Sequence, residues 1–336
     1  MKTSENDLIQ RIRAGGSSST RRHSPIRLGI GDDAALFSPR RGHETILTCD
    51  WFLEGTHFLR DKHPADSVGW KCLARAVSDV AAMGGEPRCF LLSLALPESH
   101  TGRWLDEFLG GLRRAARKFQ CPLAGGDTTR RRELLANVTV VGEVRSDRAL
   151  LRSGARVGDI LFVSGRLGGA ELGLKRLRGK ARIAGNDPLL KKHLYPEPRI
   201  ALGRWLADHR MVTSMMDLSD GMSADLPRLC EASGVGARLE ALGIPAVRLP
   251  NRSGMRNVDP LDLALNGGDD YELLFTVRPG KIRRIPRVFQ GIPLTAIGEI
   301  TRGRRLTLVG HDGREQTLPS GGWDPFQEAH ATSSIS

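Results

Sequence analysis

The sequence has no apolar run approaching the roughly 20 residues that a membrane-spanning helix needs. Its longest apolar stretch is CFLLSLALP (89–97). A helical membrane span is therefore excluded. The opening segment, MKTSENDLIQRIRAGG, is polar and lacks a signal-peptide core, so a cytoplasmic protein is expected. The five cysteines, Cys49, Cys72, Cys89, Cys121 and Cys230, form no C-x-x-C pair. An odd, scattered set fits reduced, structural thiols. Aromatic residues make up only 5%, with two tyrosines, so stacking platforms for single-stranded nucleic acid are scarce. That argues against a nucleic-acid partner despite a net charge of +12. The basic residues are dispersed, with clusters at 130–132, 175–182 and 281–287. They suit a solvated surface or a small polyanionic ligand. No H-E-x-x-H or Cys/His cluster indicates zinc. No Walker A loop is present either: GGAELGLK (168–175) carries Leu174 where lysine is required. The H-R-D and D-F-G signatures of protein kinases are also missing.

What the chain does contain begins with RLGIGDDAAL (27–36). Gly29, Gly31 and Ala34 match G-x-G-x-x-A, a turn that seats pyrophosphate on a helix N-terminus. Asp32 and Asp33, however, stand where the anion should lie. Pro39 and Gly42 interrupt the chain before any long helix, and ETILTCDWF (44–52) alternates like a strand. Glu54, about twenty residues downstream as that fingerprint asks, weighs little without the helix. A dinucleotide site is not indicated.

Helical spacing marks 3–13, 64–85 and the segment TGRWLDEFLGGLRRAARKFQ, the last weakened by two glycines. CFLLSLALP, CPLAGGDTT and ANVTVVGEV read as strands. The second half alternates strands (DILFVSG, VTSMMDL, ELLFTV, PLTAIGEI) with helices from about Leu167, from Pro198 to His209, and over SDGMSADLPRLCEASG. With 336 residues, two domains are expected. We read an α+β chain. Its N-terminal mixed α/β sandwich spans 1–147, and a C-terminal α/β domain with a helix-covered mixed sheet spans 148–310. A loop-rich tail follows over 311–336.

Six acidic islands carry the chemistry: GDDAA (31–35), TCDWFLEGTHF (48–58), SDVAAMGG (78–85), GGDTT (125–129), DLSDG (217–221) and GGDDYEL (267–273). Aspartate beside glycine is ordinary in turns. Six such islands, most at element ends, are harder to assign to turns alone. Asp79 lies on or beside the apolar stripe of its helix, so it must be paired or must bind a cation. A metal ion and an ion pair with Arg75 are both open. Carboxylates with hydroxyls and carbonyls suit Mg²⁺, which keeps waters and takes one or two carboxylates plus substrate phosphates. Several Mg²⁺ ions and a phosphate-rich ligand follow. With magnesium between them and the phosphates, Asp32 and Asp33 need not repel the anion.

In this order, the islands resemble those of the thiamine-monophosphate kinase family. That family belongs to the superfamily of aminoimidazole ribonucleotide synthetase and selenophosphate synthetase. The resemblance runs from GIGDDAALF to GGWDPF (321–326). It implies an N-terminal domain like that of aminoimidazole ribonucleotide synthetase, binding Mg²⁺ and ATP and forming a homodimer. It implies ATP-dependent phosphorylation of thiamine monophosphate to thiamine diphosphate. The implied metal ligands are Asp33, Thr48, Cys49, Asp50, Asp79, Asp127, Asp217 and Asp220. The implied ATP contacts are Gly126, Asp127, Arg152 and Ser219. His57, Asp269 and Trp323 fall near the thiamine phosphate, with the tail contributing Trp323. No covalent nucleophile is implied. Three positions depart from the family's usual pattern: Cys49 replaces Thr, Asp269 replaces Glu and Trp323 replaces Tyr. From the residues alone, His57 could equally be structural, and Trp323 could simply pin the C-terminus. A selenophosphate synthetase would need a reactive Cys near the N-terminus, and the first Cys here is Cys49, inside a strand.

Overall fold

A computed structural model describes residues 5–14, 25–30, 34–179, 187–249 and 258–326. The helices are α1 (Glu5–Ala14), α2 (Ala65–Ala82), α3 (Arg103–Lys118), α4 (Gly169–Arg178), α5 (Pro188–Leu194), α6 (Ile200–Asp208), α7 (Met222–Ser233) and α8 (Pro260–Asn266). The first strands are β1 (Ile26–Leu28), β2 (Leu36–Phe37), β3 (His43–Leu53), β4 (Glu86–Leu96), β5 (Leu123–Arg130) and β6 (Leu135–Arg145). The second half adds β7 (Ile160–Ser164), β8 (Ser214–Leu218), β9 (Gly236–Glu240), β10 (Glu272–Val277), β11 (Val288–Phe289), β12 (Ile292–Thr301), β13 (Leu306–Val309) and β14 (Glu315–Thr317). The chain is α+β and divides into two compact units. The first holds the described residues of Met1–Leu150, Leu177–Ile183 and Leu194–Arg210; the second holds those of Leu151–Arg176, Ala184–His193 and Met211–Ser336.

In the first unit the strand order is β3-β6-β4-β5. The β3–β6 and β6–β4 pairs are antiparallel and β4–β5 is parallel. Helices α2 and α3 cover one face. Val68, Leu73, Val77 and Val80 of α2 and Phe108 and Leu112 of α3 pack on Phe90, Leu92, Val138 and Val140. Each such side chain, fully buried, stabilises the fold by about 1.5–3 kcal/mol. Pro64 precedes α2, and Gly84 (φ 73°) lies just past its end. The two helices meet at glycines. A Cβ on Gly69 would overlap the carbonyl of Phe108, and one on Gly111 would overlap the backbone of Asp66. Gly111, read from the sequence as a weak point in α3, is thus its point of closest approach.

The described residues cover the other face of this sheet only in part. The β1–β2 pair contributes Ile26 to a small cluster with Cys89 and Ala124. Beyond that cluster Leu47, Trp51 and Leu91 are 70%, 57% and 37% exposed. Helix α6 belongs to this unit although it follows α4 and α5 in the chain. A Cβ on Gly203 would overlap the Ala81 carbonyl of α2. Trp70 Nε1 donates to Pro196 O at 2.8 Å, and the Tyr195 hydroxyl to Asp66 Oδ2 at 2.9 Å.

The second unit is a mixed sheet of order β14-β13-β9-β12-β7-β10-β8, with β11 on β12. Its described pairings are antiparallel except β13–β9. Strand β10 is buried along its length, as central strands are. Leu161, Met216, Leu226, Leu239 and Leu274 belong to the core. The sequence reading missed β9, β13, β14, α5 and α8, all short. In α8 the signal was nevertheless present: Asp259 caps it by accepting from Leu261 N at 2.9 Å, with Pro260 at the first turn.

Candidate functional site

In the first unit the site grows from strand β3. Alternation sends Thr48 and Asp50 to the helix-covered face, in register with buried Val140 and Val138. There Thr48 Oγ1 donates to Asp79 Oδ2 of α2 at 2.5 Å. Cys49 points the opposite way, and its thiol donates to Asn137 Oδ1 at 3.2 Å. A strand cannot present neighbours on one face, so a metal contact at Cys49 would have to come from its backbone, as a thiol is in any case a poor magnesium ligand. The Cys49 thiol does not join Thr48 and Asp79. Arg75, the rival partner for Asp79, holds its guanidinium over the Phe52 ring, 5.6 Å from the centroid.

Gly126 has φ 155°, and a Cβ there would overlap the carbonyl of Leu92, so only glycine fits. Asp127 follows, exposed, paired in register with Ser93. The Asp50 row runs instead through Val138 and Leu92 to Gly126. The register therefore separates Asp127 from Asp50. In the 53–58 loop, Gly55 has φ 80° and Leu53 N donates to His57 Nδ1 at 3.0 Å. The neutral His57 ring therefore carries its proton on Nε2. Glu54 accepts from Leu134 N and pairs with Arg60 Nε, both at 2.9 Å, which gives it a structural role. Asp33 lies outside the described residues.

In the second unit the candidates gather past the end of β8. Asp217 is buried in that strand. Ser219 O accepts from Asp269 N at 2.8 Å, and Asp220 O accepts from Trp323 N at 2.9 Å. These bonds bring Ser219, Asp220, Asp269 and Trp323 together from three islands. Gly322 (φ 85°) permits this approach, since a Cβ there would press on Asp220 O at 2.7 Å. Arg152 follows Leu151, which accepts from Met215 N near the start of β8.

Sequence reasoning missed the groups that aim this cluster. Asp225 Oδ2 accepts from Ser219 N and Asp220 N, both at 3.0 Å, while Arg228 Nη1 reaches Asp220 at 2.5 Å and Asp225 at 2.7 Å. Burial, reinforced by the neighbouring Asp220 carboxylate, pushes Asp225 up to about 6. Asp270 accepts from Gly168 N at 2.5 Å and Ala170 N at 3.1 Å, and burial pushes it up to about 6. Glu272 takes the Ser164 hydroxyl at 2.7 Å and Lys192 Nζ at 2.6 Å. The only sequence signal was at Asp270, two positions after Gly268; Asp225 and Glu272 each lie four positions past their island's glycine.

Among the described residues, no three His, Cys, Asp or Glu side chains form a ready-made metal cage. The candidates shown to meet in the first unit are a hydroxyl and a carboxylate, hard oxygens of the kind magnesium takes. Thr48 and Asp79 already meet. Such a set fits an ion that is completed by water and phosphate oxygens.

Comparison with known proteins gives a consistent answer. The family model for the N-terminal domain of AIR synthase related protein matches residues 31–144. The model for its C-terminal domain matches residues 156–311. Thiamine-monophosphate kinase of Escherichia coli (strain K12) is 38% identical over 310 residues, 90% of this chain and 92% of that protein. The Bacillus subtilis (strain 168) thiamine-monophosphate kinase is 32% identical over 333 residues, 96% and 99% of the two chains. The crystal structure of thiamine-monophosphate kinase from Stenotrophomonas maltophilia K279a superposes with a TM-score of 0.80 at 36% identity, over 94% of this chain and 98% of that one. AaThiL complexed with AMPPCP and TMP superposes with a TM-score of 0.74 at 32% identity, over 96% and 97%.

Proposed function

The chain belongs to the thiamine-monophosphate kinase family of AIR synthase related proteins, and from that membership we propose that it transfers the γ-phosphoryl group of ATP directly to thiamine monophosphate, giving thiamine diphosphate and ADP. One geometric observation carries the reading. Backbone hydrogen bonds join Ser219 and Asp220, the nucleotide and metal candidates, to Asp269 and Trp323, the acceptor candidates.

The acceptor oxygen belongs to a phosphate monoester whose second pKa is about 6. Near neutral pH it is mostly dianionic, so no general base is needed. The chain also offers no thiolate from its core: burial pushes Cys72 and Cys230 up to about 12 and Cys89 up to about 11. The remaining difficulty is repulsion between two polyanions. Thr48, Asp50, Asp79, Asp127, Asp217 and Asp220 would hold Mg²⁺, which supplies charge neutralisation at the phosphates. Arg152 adds a positive charge for the phosphates, and Gly126 lets the β5 backbone approach them. Asp269 receives the cationic thiamine end, and the Trp323 indole stacks on it.

Residues 1–147, together with α6, serve as the Mg²⁺- and ATP-binding and dimerisation domain, the rest of 148–310 as the second α/β domain and 311–336 as the tail that supplies Trp323. The setting is the cytoplasm, where ATP is available and the five unpaired cysteines stay reduced.

Incubation with ATP, Mg²⁺ and thiamine monophosphate tests the reaction. Equal amounts of ADP and thiamine diphosphate are expected, and a chiral γ-phosphate emerges inverted. Absence of thiamine diphosphate rejects the substrate. Retained configuration rejects direct transfer.

The homodimer forms through the open face of the first unit's sheet. Exposed Leu47, Trp51 and Leu91 make an apolar surface there that water does not favour. Trp51→Glu is expected to convert the dimer to monomer in sedimentation equilibrium. A dimer that survives the substitution places the contact elsewhere.

A further inference from the structure

The 269–271 segment is shaped with unusual care. Asp269 and Tyr271 both have positive φ, 67° and 50°, a region that side-chain-bearing residues avoid. The segment is clamped by Asp269 N to Ser219 O at 2.8 Å and by Tyr271 N to Leu218 O at 2.9 Å. Between them the buried Asp270 carboxylate binds the first turn of α4 through Gly168 N and Ala170 N. The Tyr271 hydroxyl donates to Asp269 Oδ1 at 2.7 Å. The other carboxylate oxygen, Oδ2, faces His193 Nδ1 at 3.9 Å.

His193 is only 1% exposed and sits on α5 beside Lys192. Lys192 reaches Glu272, itself 1% exposed, at 2.6 Å. The Ser164 hydroxyl closes that anchor by donating to Glu272 and accepting from Leu273 N at 2.9 Å. Gly165 leaves room for the Glu272 carboxylate, which a Cβ would overlap. Gly173 of α4 lets α5 approach: a Cβ there would lie 2.9 Å from the Cβ of His193. Helix α5 is thus locked at both ends of a short circuit, by Lys192 to Glu272 and by close packing to α4. The residue it delivers to Asp269 is His193.

We infer that His193 is a positioning residue for the acceptor, acting through Asp269, with the Lys192–Glu272 pair fixing the helix that presents it. The inference rests on the proposed substrate. A carboxylate held on one oxygen by Tyr271 and faced on the other by an imidazole keeps one rotamer. It therefore meets a cationic heterocycle without first being ordered. A network that served only the fold would have no bearing on which substrate is affected.

The test compares His193→Leu, His193→Asn and His193→Gln in the full chain, with KM for each substrate, kcat and Tm. His193→Leu is expected to raise KM for thiamine monophosphate about fivefold, the scale of a polar contact longer than a hydrogen bond, Nδ1 standing 3.9 Å from Oδ2. KM for ATP should stay within about twofold of wild type, inside the scatter of such context effects. Asparagine places its amide where Nδ1 stands and should recover most of the loss; glutamine places it where Nε2 stands and should not. In an Asp269→Asn background, His193→Leu should add little further. Two results overturn the inference: a lowered Tm with both KM values intact, or equal behaviour of the Asn and Gln variants. Should the Leu variant fail to fold, the Asn–Gln comparison still decides. A wild-type protein with no turnover of thiamine monophosphate would reject the substrate itself, which is distinguishable from wild-type turnover with KM unmoved by the variants.

Discussion

Asp79→Asn is expected to lower kcat by about 10²–10³-fold, the scale on which one preorganised electrostatic contact to a transferring group acts. The substitution keeps shape and removes charge. An asparagine Oδ1 can still accept from Thr48 Oγ1, which now meets Asp79 at 2.5 Å. The α2–β3 packing should therefore survive, and thermal unfolding should move little. What is lost is the negative charge that makes a hydroxyl–carboxylate pair a magnesium site. Raising Mg²⁺ should recover part of the rate, because the site is weakened rather than absent. The measurement is kcat against Mg²⁺ concentration with Tm as the control. A kcat and a Mg²⁺ requirement both equal to wild type would remove Asp79 from the metal site.

The second large effect is structural, and its sign reverses between adjacent residues. Gly111→Ala should destabilise the protein by about 3 kcal/mol, the upper end of overpacking costs. The new methyl would run into the backbone of Asp66, which has no rotamer to escape into. The helices would have to part, carrying Asp79 away from Thr48. Gly110→Ala should instead stabilise by about 0.5–1 kcal/mol, the ordinary gain of alanine over glycine inside a helix. Its Cβ would meet only the tip of Arg114, at 4.0 Å. Thermal denaturation of the two variants decides. Equal changes of the same sign would mean that α2 and α3 are not in contact at Gly111.

Much of the fold was legible because long elements advertise their period. β3, α2, β4, α3 and β6 each repeat an apolar pattern for two turns or more, or through a full strand. The short elements β9, β13, β14, α5 and α8 have too few residues to show a period. The islands of the site were legible as composition, carboxylates beside glycine. Their side-chain directions were only partly so. Alternation in ETILTCDWF already implied that Cys49 could not share a face with Thr48 and Asp50, yet resemblance grouped all three. Asp225, Asp270, Glu272, Lys192 and His193 were illegible for a different reason. Each acts on a partner distant in sequence or through a backbone N–H, and neither leaves a mark on local spacing. Nor could spacing tell whether Gly111 weakens α3 or lets another backbone in.

The placement of α6 has a consequence for the order in which the chain is made. Domains usually fold as they leave the ribosome, N-terminal part first. Here α2 finishes its packing against Gly203 of α6, which follows β7, α4 and α5 in the sequence. Until that helix emerges, the Ala81 end of α2 stays uncovered, while strands of the second unit are already being synthesised. The nascent N-terminal half is thus a candidate client for chaperones. A fragment ending at residue 150 would carry the same bare surface permanently.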